Sequence, residues 1–245
     1  MNFLDLKDIS ERTMELVNPT SPEKILKVGQ ALGLTEGSRV IDFGTGFGEV
    51  LALWADAFGI RGVGIDIRPL ACQRARAKMA ARGLADRIEI VCGSASEYKF
   101  EPHAYDVAAC LGASFVWGGF QPTVHRLKDA LRPGGRIVIG EPYWRTPAVP
   151  PDYSRHEATV FTENELFQQA RAEGMDVLYV VRASEDDWDR YETDNWRGLL
   201  AWLEENPDHA ERAQVLDTLR TSQDEYTRWG RAYFGWAIYI LTATP

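Results

Sequence analysis

The segment 40–50 reads VIDFGTGFGEV, an apolar, β-branched run that stops in glycines at 44, 46 and 48. A strand ending this way turns sharply, because glycine takes positive φ without strain and leaves main-chain amides with no Cβ in front of them. After a helix-forming stretch comes a second apolar run, GVGID, which closes on Asp66. Strand, glycine turn, helix and second strand with a terminal carboxylate make a βαβ unit, and its crossover fixes the two strands as parallel. In such a unit a ligand touches backbone at the turn, and the acid accepts hydrogen bonds from vicinal ribose hydroxyls.

The rest of the chain extends this pattern. Apolar runs at 39–43, 62–67, 88–91, 106–111 and 136–140 are bounded by Gly, Pro or polar residues and are the strand candidates. Between them 49–58, 69–82 and 122–131 carry helical patterning; Pro69 opens the second, and the third stops before Pro133-Gly134-Gly135. Two helices precede the first strand, the later one opening at Thr20-Ser21-Pro22-Glu23 with a capping serine. Past Pro142, the Pro-rich passage 143–153 reads as irregular, 163–173 as helix and 175–181 as strand. A long polar-aromatic helical insert over 184–231, broken at Asn206-Pro207, leads to a last strand at 236–242. Strict alternation of strand and helix predicts a doubly covered parallel sheet.

At 245 residues the chain suits one α/β domain spanning 1–245, with N-terminal helices over 1–38 covering the site and a lid-like insert over 184–232. In the insert, Trp188, Tyr191, Trp196, Leu199, Leu200 and Leu203 recur at helical spacing, as do Leu216, Leu219, Tyr226 and Trp229. That aromatic face serves either to pack two helices onto the sheet or to close over a substrate. With 27 basic against 36 acidic residues, net -9, no basic field is available for nucleic acid or anionic lipid. Arg74, Arg76, Lys78 and Arg82 read as the solvated face of one helix. No charged leader or long apolar run is visible, so a cytoplasmic protein is the default expectation. The three cysteines, Cys72, Cys92 and Cys110, show no metal-binding spacing and read as buried free thiols; no metal is expected.

The glycine spacing bears on the ligand. A dinucleotide site favours G-x-G-x-x-G, with a helix N-terminus facing a pyrophosphate. Here G-x-G-x-G is followed at once by Glu49. A carboxylate in the first helical turn repels pyrophosphate but can accompany an ammonium and a sulfonium, so the loop fits S-adenosylmethionine better than NAD. Alone, the loop could be a simple tight turn; the acid of GVGID argues for a ribose.

Five ordered segments, VIDFGTGFGEV, GVGIDIRP, RIEIVCGSA, YDVAACLGA and LRPGGRIVIGEPYW, resemble the motifs of class I S-adenosylmethionine-dependent methyltransferases across 40–144. The tail, with WDRYE from Trp188 and YFGW from Tyr233, is similar to that of small bacterial stand-alone members. The resemblance implies a Rossmann-like fold: a mostly parallel seven-stranded sheet with an antiparallel last strand and a helical insert before it. It implies that Gly44, Thr45 and Gly46 line the methionine moiety, with Asp42 and Gly48 in the same cofactor seat. Asp66 would bind the ribose, Ile67 pack on adenine, Ser94 and Ala95 flank the adenine edge, and Leu111 and Gly112 offer carbonyls to the ammonium. Ser94 stands where relatives usually carry an acid, and Thr45 where many have Cys or Ala.

Methyl transfer from a sulfonium requires a nucleophile held in line and water kept out. A hydroxyl, thiol or carbon acid acceptor also needs a base within reach. Glu141, closing the fifth strand, leads the catalytic candidates, its alternative being to anchor the following loop; His125 and His156 come next. Phe115 and Trp117 would border the substrate, and Tyr143 and Trp144 would wall it. The expected activity is methylation of a small molecule, with S-adenosylhomocysteine as product. A non-catalytic cofactor-binding sensor or scaffold and an NAD(P)-dependent oxidoreductase are the alternatives. Acceptor atom and oligomeric state stay open.

Overall fold

The computed structural model describes residues 1–154 and 159–244. Helices α1 (Phe3–Ser10) and α2 (Pro22–Leu32) precede β1 (Arg39–Phe43), α3 (Glu49–Phe58), β2 (Arg61–Asp66), α4 (Pro69–Ala81), β3 (Ile88–Cys92) and β4 (Tyr105–Leu111). A 3-10 turn (Ser114–Trp117), α5 (Phe120–Lys128) and β5 (Leu131–Trp144) follow, then the single turn α6 (Pro151–Ser154), β6 (Phe161–Thr162), α7 (Glu163–Ala172) and β7 (Met175–Arg182). The chain ends with α8 (Glu185–Glu205), α9 (Arg212–Glu225), a π-helical turn (Tyr226–Gly230), α10 (Arg231–Tyr233) and β8 (Phe234–Ala243).

The main sheet order is β3-β2-β1-β4-β5-β8-β7, with β1 to β5 parallel and β8 antiparallel to both β5 and β7; the two-residue β6 pairs with β5. This is the mostly parallel sheet expected. Successive side chains leave a strand on opposite faces, so a sheet covered on both sides needs continuous apolar runs. In β1, Val40 joins the core with Ile25, Trp54 and Met79, whereas Ile41 joins Phe120, Leu127 and Leu166 on the other face. The Trp54 indole donates to the Ile25 carbonyl at 2.8 Å, so its burial leaves no orphaned donor.

Several bounds differ from the sequence reading: the helix read over 122–131 is α5, which ends at Lys128, the last strand read over 236–242 starts at Phe234, and two larger differences concern β5. Pro133-Gly134-Gly135 is absorbed into β5 through a register shift opposite Tyr105 and Val107, instead of ending an element ahead of it. β5 also continues through Trp144, into the passage expected to be irregular, because β8 pairs with it as far as Trp144↔Phe234. Strand order reverses between β1 and β4, where an open α/β sheet forms its ligand crevice.

Over that crevice lie α1 and α8. Ser184 and Asp187 form a capping box at the start of α8, and Asp187 also meets the Lys24 ammonium of α2. The two roof helices approach so closely that a Cβ at Gly198 would overlap the Ser10 carbonyl of α1. Leu199 and Leu203 pack with Val215 and Leu219 of α9, with Leu6 and Ile9 of α1 against them, so the insert docks on the N-terminal segment. Among the described residues, no helix is long and apolar enough to cross a membrane.

Candidate active site

A cavity of about 470 Å³ opens at the carboxyl ends of β1, β2, β4 and β5. Its floor is the glycine turn. The amides of Gly44 and Thr45 both donate to the Ile65 carbonyl, at 2.8 and 3.0 Å, which pins the turn to β2. Gly44 and Gly46 sit at φ 75° and 57°; a Cβ would overlap Ala113 at the first and come 2.8 Å from Val17 at the second. Only glycine lets the backbone face the cavity there.

Asp66 is buried beside the turn. Its Oδ2 accepts from the Gly46 amide at 2.8 Å and its Oδ1 from the Arg68 amide at 2.9 Å. A carboxylate has about four acceptor sites. With one amide bond on each oxygen, and Arg68 Nε a further 3.6 Å from Oδ1, the carboxylate keeps acceptor capacity, and Asp66 lines the cavity. Ile67, 55% exposed, Ser94 and Ala95 extend this end of the cavity. Leu111, Gly112 and Ala113 form the opposite side. The Asn18 amide nitrogen, oriented toward carbonyls, donates to Val17 O at 3.0 Å and Leu111 O at 3.2 Å.

The roof comprises Lys7 and Glu11 of α1, the 17–19 segment, Trp188 and Tyr191 of α8, and Trp236 of β8. It is held by cations from the Rossmann-like core. Arg68 meets Glu11 at 2.7 Å and Asp8 at 3.4 Å. Arg74 lies 3.6 Å over the Phe47 ring and donates to the Arg12 and Met14 carbonyls at 3.1 and 2.7 Å. Within the roof itself, Arg190 of α8 donates to the Asn18 and Thr20 carbonyls, each at 2.9 Å. Lys7 Nζ lies 3.5 Å from Glu11 and 3.4 Å from the Tyr191 hydroxyl.

Of the expected cofactor residues, Gly44, Gly46, Asp66, Ile67, Ser94, Ala95, Leu111 and Gly112 line the cavity. Three do not. Thr45 turns under the loop, where it fills the space a Cβ at Gly64 would take. Gly48 caps α3 and faces Met79 and Ala75 of α4. Asp42 is buried behind the turn, and burial pushes its carboxyl up to about 7. Glu49, expected to face a cationic ligand, pairs instead with Lys78 at 2.5 Å and Arg82 at 2.8 Å. The α4 cations are therefore engaged and do not form a solvated face. Cys92 is exposed, unlike Cys72 and Cys110.

The catalytic candidates fare differently from the cofactor set. Glu141 points to the α5 side of the sheet, away from the cavity, where its Oε1 accepts from the Ser114 hydroxyl at 2.9 Å. Burial raises its carboxyl to about 7, against the lowering effect of that hydrogen bond. It anchors the turn after β4. His125 is exposed on α5 and pairs with Glu173 at 3.0 Å, outside the cavity. His156 lies outside the described residues.

Phe115 lines the cavity, but Trp117 packs edge-on against Phe43 behind it. Tyr143 covers Gly235 on the far side of the strand pair. Trp144 stacks on Phe234 at 4.6 Å, and Phe234 stacks in turn on Trp188 at 6.4 Å. Trp144 thus supports the roof without reaching the cavity. Val17, Asn18, Lys7, Arg68 and Trp236 were missed as wall residues; the Asn18-Pro19 turn signal and the YFGW segment were the cues.

Comparison with known proteins agrees with this geometry. Residues 40–135 match the family model described as a methyltransferase domain. The uncharacterized Escherichia coli protein YjhP is 34% identical over 240 residues, covering 96% of each chain. A Geobacter sulfurreducens SAM-dependent methyltransferase, solved in complex with S-adenosyl-L-homocysteine, superimposes with TM-score 0.91 at 38% identity over 98% of each chain. One from Thiobacillus denitrificans, in the same kind of complex, gives 0.92 at 35% identity over 99% of this chain and 100% of that one. With the glycine turn, the half-satisfied Asp66 and the sheet order in place, the chain belongs to the class I S-adenosylmethionine-dependent methyltransferase family.

Proposed function

We propose that this enzyme moves a methyl group from S-adenosylmethionine to a small molecule held beneath α1 and α8. The observation that carries the reading is one cavity, walled jointly by the glycine turn, Asp66 and the aromatic roof. When bound, the cofactor supplies the electrophile, a methyl on a sulfonium. The protein has to bind, align and exclude water. In this reading Gly44 and Gly46 admit the methionine moiety against bare backbone. The open acceptor sites of Asp66 take the ribose hydroxyls, Ile67 packs on adenine, Ser94 and Ala95 border its edge, and the Leu111 and Gly112 carbonyls face the ammonium. Residues 1–38 and the 184–232 insert act as the cover that keeps water out.

Tyr191, with Lys7 beside its hydroxyl, lines the cavity where Glu141 and His125 do not, and takes their place as the candidate polar group for the acceptor. A cavity of this size under a roof crossed by two helices favours a metabolite over a macromolecule, in keeping with the net charge of -9.

Two measurements test the reading. In isothermal titration, Asp66→Ala should weaken S-adenosylhomocysteine binding by roughly 100-fold, since two charge-assisted hydrogen bonds are worth about 3 kcal/mol or more together. Unchanged affinity would remove Asp66 from the seat. With methyl-labelled S-adenosylmethionine and a whole-cell extract, the label should pass an ultrafiltration membrane. Label retained on protein or RNA would sink the small-molecule reading.

A further inference from the structure

We infer that the acceptor is an uncharged, largely apolar molecule that enters between α1 and the turn after β4, its body lying across Phe3, Leu4 and Phe115. The inference rests on the methyl-transfer reading above and narrows its substrate. The first observation is where the molecule leaves apolar surface in water. Among the described residues, eight large hydrophobic side chains are exposed, and four of them, Phe3, Leu4, Ile67 and Phe115, line this one cavity. Phe3 is 62% and Phe115 67% exposed. Single exposed apolar residues need no explanation, but a cluster of them around the mouth of one cavity marks a binding surface. Adenine would account for Ile67. The other three remain.

The second observation is the charge on the walls. Among the described residues, four charged side chains line the cavity, and they cancel: Lys7 pairs with Glu11, Glu11 with Arg68, and Asp66 accepts from the Gly46 and Arg68 amides. Among these described residues no cation is left for a phosphate or carboxylate, and no carboxylate for an amine beyond the cofactor's own needs. An ionic group carried past the rim into the cavity would have to break one of these pairs or give up water without a partner, and both are costly. A neutral acceptor meets neither cost. The polar contacts still offered are the Tyr191 hydroxyl and the oxygen of the Asn18 amide, whose NH2 is spent on Val17 and Leu111; the hydroxyl suits a neutral hydroxyl, thiol or carbonyl, and the oxygen accepts from a hydroxyl or thiol.

Three phenols that differ only at the end opposite the hydroxyl test this: p-octylphenol (neutral, apolar), p-hydroxybenzoate (anionic) and tyramine (cationic). Each is titrated into protein saturated with S-adenosylhomocysteine, so that Ile67 is already covered, and binding is read from the fluorescence of Trp188 and Trp236 in the cavity wall. The octylphenol should bind at least about 10-fold more tightly than either charged phenol, and Leu4→Ser/Phe115→Ser should weaken it about 10-fold, the scale of losing one buried aromatic contact. That loss should exceed any change in S-adenosylhomocysteine affinity at least fivefold. Three outcomes overturn the inference: octylphenol does not bind, a charged phenol equals it, or the double variant binds it unchanged or loses both ligands in parallel. Failure of the wild-type protein to bind S-adenosylhomocysteine would instead strike the cofactor reading, before any phenol is added.

Discussion

Replacing Glu141 with glutamine separates a buried structural acid from a catalytic base. In the fold its carboxyl rises from the ordinary 4.5 to about 7 because it is desolvated between β5 and the 3-10 turn, with one hydrogen bond, from Ser114, favouring the ionised form. Its Oε2 has no hydrogen-bond partner among the described residues. A raised pKa means that the native state holds the proton more tightly than the unfolded chain. The wild-type protein therefore loses stability as pH climbs from about 4.5 toward 7, and the loss levels off above. At about 1.4 kcal/mol per pKa unit, the full difference is about 3 kcal/mol. Glutamine keeps the shape and the Ser114 contact but cannot ionise. Glu141→Gln should match wild type near pH 4 and exceed it by about 3 kcal/mol at pH 8, or roughly 6–12 °C in Tm for a chain of this size. The variant-minus-wild-type difference isolates Glu141 from Asp42 and Glu192, which burial also raises to about 7. Thermal melts at half-unit pH steps check the curve, and methyl transfer should persist. Parallel melting curves across pH, or a kcat reduced a hundredfold, would refute the assignment.

Two further substitutions probe the roof. Gly198→Ala forces a methyl against the Ser10 carbonyl on another helix and should cost about 2–3 kcal/mol in urea unfolding; a neutral result would mean that α1 and α8 do not pack as described. Arg68→Met keeps the stem but removes the cation between Glu11 and Asp8, so stopped-flow dissociation of S-adenosylhomocysteine should accelerate about 10-fold, and an unchanged rate would show that these pairs do not hold α1 down.

How much was legible in the chain depended on how local the signal was. The bounds 39–43 and 49–58 match β1 and α3 as read, because a β-branched run, a glycine turn and an amphipathic helix are each written in adjacent residues. Asp66 was legible for the same reason. Glu141 was misread because a strand's period of two fixes which residues share a face without saying which face meets the ligand. Ile137, Ile139 and Tyr143 go with it to the α5 side, while Pro142 borders the cavity. His125 could have been set aside from sequence. Phe120, Thr123, Val124 and Leu127 form the buried stripe of α5, and 125 falls off it. The partners of Glu49, Arg74 and Lys78 lie on other elements, and no spacing rule announces such pairs.

The depth of the glycine turn beneath the roof has a kinetic corollary. Gly46 and Asp66 are buried and Gly44 is half-buried below the 17–19 segment and α1, whereas Phe3 and Phe115 stand at the rim. A molecule resting on the rim would block the way to the floor. Turnover would then be ordered: donor first, acceptor second, methylated product out, and spent donor last. S-adenosylhomocysteine would accordingly compete with S-adenosylmethionine and not with the acceptor, and its departure would wait on the ion pairs that hold α1 in place.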